Sequence, residues 1–248
     1  MNDVSIRLLP LSKTRQGLRP TRWGPILWYF LFVTTFYWHR KQTSRYSKRL
    51  IAFVQLFLVL LYCIFCRESF QEFHNIHDPN KKEYRSNLVK WLHFLHNWVN
   101  RKLNKPLFPF SLVEPVFIEE NHEELYWKED LVSPHYYYCM WCILYLSALN
   151  FPPQIDPKRE FDLKTQTAVT SLFHDIILLL PSAQLQEEMQ RAFPSQQQPK
   201  QIFTTRKECF DFVFEWEQNS IHKENSLFGK NKEEVIDYFE THFRTPKS

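Results

Sequence analysis

Two long apolar runs dominate the first quarter of the chain, at Gly24–Trp38 and Leu50–Cys66, and the basic linker His39–Arg49 separates them. One interpretation is a transmembrane hairpin whose positive linker stays on the cytoplasmic side. The first run spans only about fifteen residues, whereas roughly twenty are needed to cross a bilayer, and Gln55 interrupts the second. Two helices buried on most sides explain the same pattern. The pattern favours core helices, with the hairpin as the alternative.

Helical spacing continues along the rest of the chain. A first helix is predicted to start near Pro25, because proline suits an opening turn, and a second covers Ser44–Leu61. Apolar residues at helical spacing predict another over Glu83–Leu103, which ends before Pro106. Further helices are predicted at His135–Leu149, Lys164–Leu180, Gln184–Phe193, Arg206–Asn219 and Lys232–Phe243.

Composition supports an all-α fold. The 248 residues include only three scattered glycines, which excludes the glycine-rich phosphate loops and argues against a turn-rich β architecture. The chain divides into a basic flexible N-terminus over 1–21, a domain over 22–133 and a helical region of unknown role over 134–248, with a soft boundary near Pro134.

Charge and cysteine usage narrow the functional classes. The net charge of +4 is modest, so the basic residues of the first fifty positions are interpreted as a solvated face, without a nucleic-acid partner. Five cysteines are too few for a disulfide-stapled scaffold. These features suit a cytosolic or virion protein better than a secreted one.

Four of the cysteines form two Cys-x-x-Cys pairs, Cys63/Cys66 and Cys139/Cys142. Such a pair can exchange disulfides and pass two electrons when a helix N-terminus or a cation lowers the pKa of one thiol. A four-thiolate zinc site is an alternative, but both pairs lie among bulky apolar residues without glycine, so no metal is expected. Buried structural cysteines are the simplest alternative.

A second motif follows the first pair, W-L-H-F-L-H-N-W-V-N-R-K-L-N-K-P-L-F from Trp91 to Phe108. The family of Erv/ALR flavin-dependent sulfhydryl oxidases has a tryptophan-bearing first helix, a Cys-x-x-Cys, and then W-L-C-x-x-H-N-x-V-N-x-x-L-G-K-P-x-F-D-C. Residues 22–108, about a third of the chain, resemble that family in order and spacing. The third helix matches at Trp91, Leu92, His96, Asn97, Val99, Asn100, Leu103, Lys105, Pro106 and Phe108.

The resemblance implies a four-helix bundle that binds FAD beside Cys63 and Cys66. Cys66 would contact the flavin and give it electrons through a charge-transfer thiolate, while Cys63 would exchange disulfides with the incoming dithiol. The residues that would hold the cofactor are Trp28, His96, Asn97, Asn100 and Lys105. Their aromatic, amide and ammonium groups suit stacking, hydrogen bonding and pyrophosphate binding.

Two departures from the family pattern stand out. The family's structural disulfide would join the positions of His93 and Phe110, so both partners are absent together and packing is expected to replace the bridge. The family tends to have histidine one turn after the first-helix tryptophan, where Phe32 stands here. This weakens the expected adenine contacts and leaves the thiol–flavin step intact.

Cys139 and Cys142 could be the shuttle dithiol that many of these oxidases use. A shuttle must move, however, and this pair follows the aromatic run Tyr136–Tyr138, so buried structural cysteines or a static disulfide are favoured. The C-terminal third matches no recognised motif. Oxidases of this family with long C-terminal regions occur in large DNA viruses, which by analogy suggests a viral source.

The expected function is therefore that of a thiol oxidase, which forms protein disulfides and reduces O2 to H2O2. Family analogy adds a homodimer, located in the host cytoplasm or the virion. A non-catalytic membrane or virion structural protein is the alternative, although membrane association is not favoured.

Overall fold

A computed structural model describes residues 18–41, 44–81, 84, 87–119, 133–194, 203–220 and 227–244. Within these ranges the chain forms helices and no β-strand, apart from two isolated bridges. The all-α prediction is confirmed. The helices are α1 Pro20–Lys41, α2 Ser44–Leu60, α3 Ile64–Ile76, α4 Leu88–Lys102, α5 Pro134–Leu149, α6 Glu160–Leu179, α7 Ala183–Ala192, α8 Arg206–Asn219 and α9 Lys232–Phe243.

Side-chain caps explain where several helices begin. Thr205 and Glu208 form a reciprocal capping box at the start of α8, and Asn231 accepts from the backbone of Glu234 at the start of α9. Ser133 caps α5 in the same way, accepting from the backbone of Tyr136. Each cap satisfies a backbone N–H that the helix leaves without a partner, and α8 and α9 have the predicted bounds.

Helix α1 begins earlier than predicted. It starts at Pro20, so Pro25 lies inside the helix instead of opening it. Proline at the first helical position costs no hydrogen bond. Pro25 leaves the carbonyl of Thr21 without its helical donor, and because Thr21 is exposed, water can take the donor's place.

Helix α3 was not predicted as a separate element. The apolar run Leu50–Cys66 reads through the break at Leu61–Cys63, where the chain leaves α2 and turns before α3 starts at Ile64. Hydrophobicity alone cannot show such a turn when the residues on both sides are apolar. A second break in the helices, at His77–Asn80, follows α3.

The first four helices pack together. Helix α1 contacts α2 and α4, α2 contacts α3, and α3 contacts α4. Phe70 and Phe73 of α3 pack against Trp91 of α4, with ring centroids 6.3 and 5.5 Å apart, and the indole of Trp91 donates to the carbonyl of His77 at 2.7 Å. These contacts hold α3 against α4.

Helix α5 forms the centre of the molecule, with every residue from Cys139 to Leu149 buried. It packs against α1 on one side and α8 on the other, while α6 packs along α2. Thr34 of α1 shares a 2.7 Å hydroxyl hydrogen bond with Tyr136. The predicted boundary near Pro134 is therefore crossed by extensive packing between the described helices on either side.

The predicted flexible N-terminus lies mostly outside the described residues, which begin at Leu18. Leu18 forms an isolated bridge with Arg244, and the backbone N–H of Arg19 donates to the carbonyl of Phe243 at 2.8 Å. Among the helices of the described ranges, none combines the length and the apolar character needed to cross a bilayer.

Candidate active site

Cys63 and Cys66 lie at the start of α3. Cys63 is the N-cap residue, with extended backbone, and its carbonyl accepts from the backbone N–H groups of Cys66 and Arg67 at 3.1 and 3.0 Å. Both thiols are free and partly buried. This places one thiol at a helix N-terminus, the position at which a thiolate is most easily stabilised.

The surroundings of Cys63 lower its pKa from an ordinary value of 9.0 to about 6. The largest cause is a hydrogen bond from the Cys66 thiol, joined by the backbone N–H groups of Cys66 and Phe65 and by the charge of Arg67, against the opposing effect of burial. Cys63 is therefore largely a thiolate at neutral pH when the pair is reduced.

Cys66 responds in the opposite direction. Its pKa is raised, because its thiol donates the hydrogen bond to Cys63 and is partly desolvated. Cys66 precedes the buried Phe70 and Phe73 by four and seven residues, so it shares the side of α3 that faces α4. The two thiols therefore divide into an ionised Cys63 and a protonated Cys66 on the bundle side of the helix.

Tyr62 fixes the turn that carries the pair. Its ring meets Trp23 of α1 edge-on, with centroids 5.4 Å apart. Its hydroxyl donates to the carbonyl of Ile143 and shares a bond with the hydroxyl of Ser147, both at 3.2 Å and both in α5. The thiol turn is thus held by α1 and by a helix from the C-terminal region.

Trp28 and His96, two of the predicted cofactor residues, are brought together with ring centroids 4.8 Å apart. Phe32 and Phe108 also surround the imidazole, at 6.0 and 5.6 Å, and Phe117 stacks on Phe32 at 4.4 Å. We call these five residues the aromatic box. Phe32 occupies it where the family tends to have a histidine.

His96 is neutral in this box. Its pKa is lowered from 6.5 to about 4, mainly by burial and to a smaller extent by the nearby charges of His93 and Lys105. Its Nδ1 atom is buried without a hydrogen-bond partner in the described structure. A buried polar nitrogen without a partner is costly, so the box offers a neutral ring nitrogen to a polar heterocyclic ligand.

Asn97 is engaged within the chain. Its amide oxygen accepts from the backbone N–H of Phe108 at 2.8 Å, and its amide nitrogen donates to the Phe108 carbonyl at 2.9 Å. The amide of Asn100 donates to Asn97 Oδ1 at 3.4 Å. Asn97 therefore positions Phe108 in the aromatic box, a role that sequence reasoning did not identify.

The positions of the missing family disulfide are in contact. The rings of His93 and Phe110 meet edge-on with centroids 5.1 Å apart, and His93 Nε2 donates to the carbonyl of Phe108 at 2.7 Å. The expectation that packing takes the place of the bridge agrees with this contact.

Lys105 lies just after α4. The backbone N–H groups of Asn104 and Lys105 donate to the carbonyls of Arg101 and Asn100, the pattern of a Schellman cap. Asn104 has φ of 51°, in the left-handed region where the family motif has glycine. The cap directs the chain toward Phe108, and the side chain of Lys105 is exposed.

The second pair, Cys139 and Cys142, lies inside a helix instead of at its start. Cys139 and Cys142 are both 0 % exposed within α5, and they form no disulfide with each other. Burial raises the pKa of Cys142 to about 12. Disulfide exchange at this pair would require α5 to open, which favours the structural interpretation over a shuttle.

Comparison with known proteins locates the resemblance. Residues 25–121 match the family model described as the Erv1 / Alr family. The match covers about two fifths of the chain and includes the thiol turn, the aromatic box and α4. No curated protein and no solved structure matches the chain. The matched region is thus similar to a family of flavin-linked thiol oxidases, and α5–α9 lie outside the match.

The residues at this site are of the types that can bind a flavin nucleotide. The aromatic box supplies rings for contact with a planar heterocycle, and His96 supplies a buried nitrogen without a partner. Lys105 offers an exposed ammonium for a phosphate. The sequence missed Phe117 because the short helical turn Pro115–Glu119 that carries it lies in a segment without periodicity.

Proposed function

We propose that the protein is an FAD-dependent sulfhydryl oxidase that converts protein dithiols to disulfides and reduces O2 to H2O2. The observation that carries the proposal is the thiolate-stabilising position of Cys63, next to the bundle-facing Cys66, inside the segment that matches the Erv1/Alr family. A bound flavin supplies a two-electron acceptor that oxygen can re-oxidise.

The exchange steps balance at the thiol pair. In the oxidised enzyme Cys63 and Cys66 form a disulfide, and a substrate thiolate attacks Cys63 Sγ, which breaks that bond and releases the Cys66 thiolate. The second substrate thiolate then attacks the substrate sulfur of the mixed disulfide, with Cys63 as the leaving group. A thiol of low pKa leaves faster, so the stabilised Cys63 thiolate speeds product release.

At the end of this exchange the substrate has lost two electrons and two protons, and the pair is reduced. Cys66, on the α4 side, is the thiol we assign to electron transfer toward the cofactor. It is protonated in the reduced pair, so the charge-transfer thiolate expected from the family resemblance would form only when its proton passes to Cys63 along the hydrogen bond between them. Trp28, His96, Asn100 and Lys105 would hold that cofactor, while Asn97 positions Phe108. Because His96 is neutral, the aromatic box carries no positive charge.

Other properties are proposed by family analogy alone: a homodimer, a viral source, and a location in the host cytoplasm or the virion. Cys139 and Cys142 are proposed to be structural.

An oxygen electrode tests the proposal directly. Purified protein should be yellow, with flavin absorbance near about 450 nm, and should consume oxygen when dithiothreitol is added. Each O2 consumed should yield one H2O2. A colourless protein that requires detergent and consumes no oxygen would contradict the assignment and favour a structural membrane protein.

A further inference from the structure

Exposed apolar side chains surround the thiol turn. Ile64 and Phe65, the two residues between the cysteines, are 42 % and 73 % exposed. Phe161 of α6 is 37 % exposed, and its ring centroid lies 5.0 Å from the guanidinium carbon of Arg67. Because Ile64 and Arg67 are three residues apart on one helix, they share a side. We call Ile64, Phe65 and Phe161 the thiol-side patch.

The patch is built from two regions of the chain. Ile64 and Phe65 belong to the segment that matches the family, whereas Phe161 lies in α6, beyond it. Helix α3 packs against α4 through two other side chains, the buried Phe70 and Phe73. Packing of α3 therefore does not depend on the exposed Ile64 and Phe65. Clustered exposed apolar groups are typical of surfaces that a partner covers.

The adjacent thiols identify the partner. Any molecule that exchanges with Cys63 must bring a sulfur atom into bonding distance, so a protein substrate necessarily covers side chains next to the turn. Burial of apolar surface on both sides then favours binding. A dithiol of four carbons can reach Cys63 without covering Phe161, whereas a polypeptide extends across the patch.

We propose that the thiol-side patch selects polypeptide dithiols whose cysteines are flanked by apolar residues, and that α6 contributes to this selection through Phe161. The inference rests on the proposed oxidase function and deepens it, because it assigns a substrate class to the same site and a role to part of the C-terminal region.

Paired variants test the selection. The variant Phe161→Ser, called the patch variant, removes the patch side chain that lies outside the Cys-x-x-Cys segment. Phe94→Ser is a matched control, because Phe94 and Phe161 are both 37 % exposed. Phe94 also has a cation near its ring, Lys90 Nζ, 5.8 Å from the centroid.

The substrates are two reduced peptides, each with two cysteines, flanked in one by leucine and phenylalanine and in the other by serine. Wild type should have a kcat/KM about tenfold higher for the apolar peptide. The patch variant should lose that preference and keep the wild-type rate with dithiothreitol, and the control should retain both. An equal kcat/KM for the two peptides in wild type, or an unchanged preference in the patch variant, would overturn the proposal.

A binding measurement separates this inference from the oxidase assignment. The apolar peptide, with serine at both cysteine positions and a fluorescein label, cannot react, and its anisotropy reports docking alone. Binding to wild type and the control, but about tenfold weaker to the patch variant, would support the patch even if no oxygen were consumed. Equal binding to all three proteins would overturn the patch even if dithiothreitol were oxidised.

Discussion

The two Cys-x-x-Cys pairs have the same spacing and opposite environments. Cys63 caps a helix, beside exposed side chains, and its pKa falls to about 6. Cys142 lies in the middle of α5, where every residue from Cys139 to Leu149 is buried, and its pKa rises to about 12. A thiol exchanges disulfides as the thiolate, so position along a helix and burial, and not the motif, separate a reactive pair from an inert one.

Loss of catalysis should be the largest difference between the pairs. Cys66→Ser should reduce oxygen consumption with dithiothreitol to the background rate, because the second thiol of the redox pair is gone. Cys142→Ser should retain activity in the fraction that folds, measured by circular dichroism. If activity also disappears in a folded Cys142→Ser protein, the second pair is part of the electron path and the comparison fails.

Alkylation should separate the pairs next. In the reduced protein at pH 7, iodoacetamide should modify Cys63 faster than Cys142 by at least about a thousandfold, since the thiolate fractions differ by more than that. Because the pKa of Cys63 is depressed, its thiolate is present above about pH 6 and is lost as the pH falls through that value.

The same shift links pH to folding of the reduced chain. The stabilising contribution of the Cys63 thiolate is complete above the ordinary pKa of 9.0 and declines as the pH falls toward about 6.

Peptide mapping across this range should place the alkylation midpoint of Cys63 near pH 6. A midpoint near 9 would show that the helix turn does not stabilise the thiolate.

Stability should show the reverse ranking of the pairs. Cys142→Ser buries a hydroxyl in an apolar helix interface and should lower the free energy of unfolding by about 1–3 kcal/mol. At pH 5, where Cys63 is protonated and its thiolate adds no stability, Cys63→Ser at the partly exposed turn should change it by less than about 1 kcal/mol. Urea unfolding of the two reduced variants measures both values, and equal losses would contradict the structural role of the buried pair.

Arg67 should give the smallest effect. Its charge lowers the pKa of Cys63, but by less than the hydrogen bonds from Cys66 and Phe65 do. Arg67→Gln should therefore move the alkylation midpoint of Cys63 to higher pH, while Arg67→Lys keeps the charge and should move it less. The arginine also donates to the carbonyl of Leu61 at 2.6 Å, so an equal shift in both variants would assign the effect to that bond and not to charge.

Sequence reasoning succeeded where local signals agree. Helices α8 and α9 have the predicted bounds because each begins at a side chain able to cap its backbone, Thr205 and Asn231. Helix α3 was missed because the residues around the Leu61–Cys63 break are apolar on both sides, and a turn between two buried helices leaves no polar signal.

The candidate site shows the same division. The family resemblance predicts that Trp28 and His96 hold a cofactor, and the structure places their ring centroids 4.8 Å apart. Their cofactor role stays a prediction. The use of Asn97 to hold Phe108 could not be predicted, since an amide reads alike whether it contacts a ligand or the backbone. Phe117 joins the aromatic box and Phe161 joins the thiol-side patch through contacts between distant segments. The residue spacing within one segment does not predict such contacts.

Anaerobic reduction of the purified protein tests the central claim most directly. Dithiothreitol added without oxygen should bleach the flavin absorbance near about 450 nm in wild type and in folded Cys142→Ser, but not in Cys66→Ser. Readmitted oxygen should restore the absorbance. Bleaching in Cys66→Ser at the wild-type rate would contradict the account, because electrons would then reach the flavin without the pair at the start of α3.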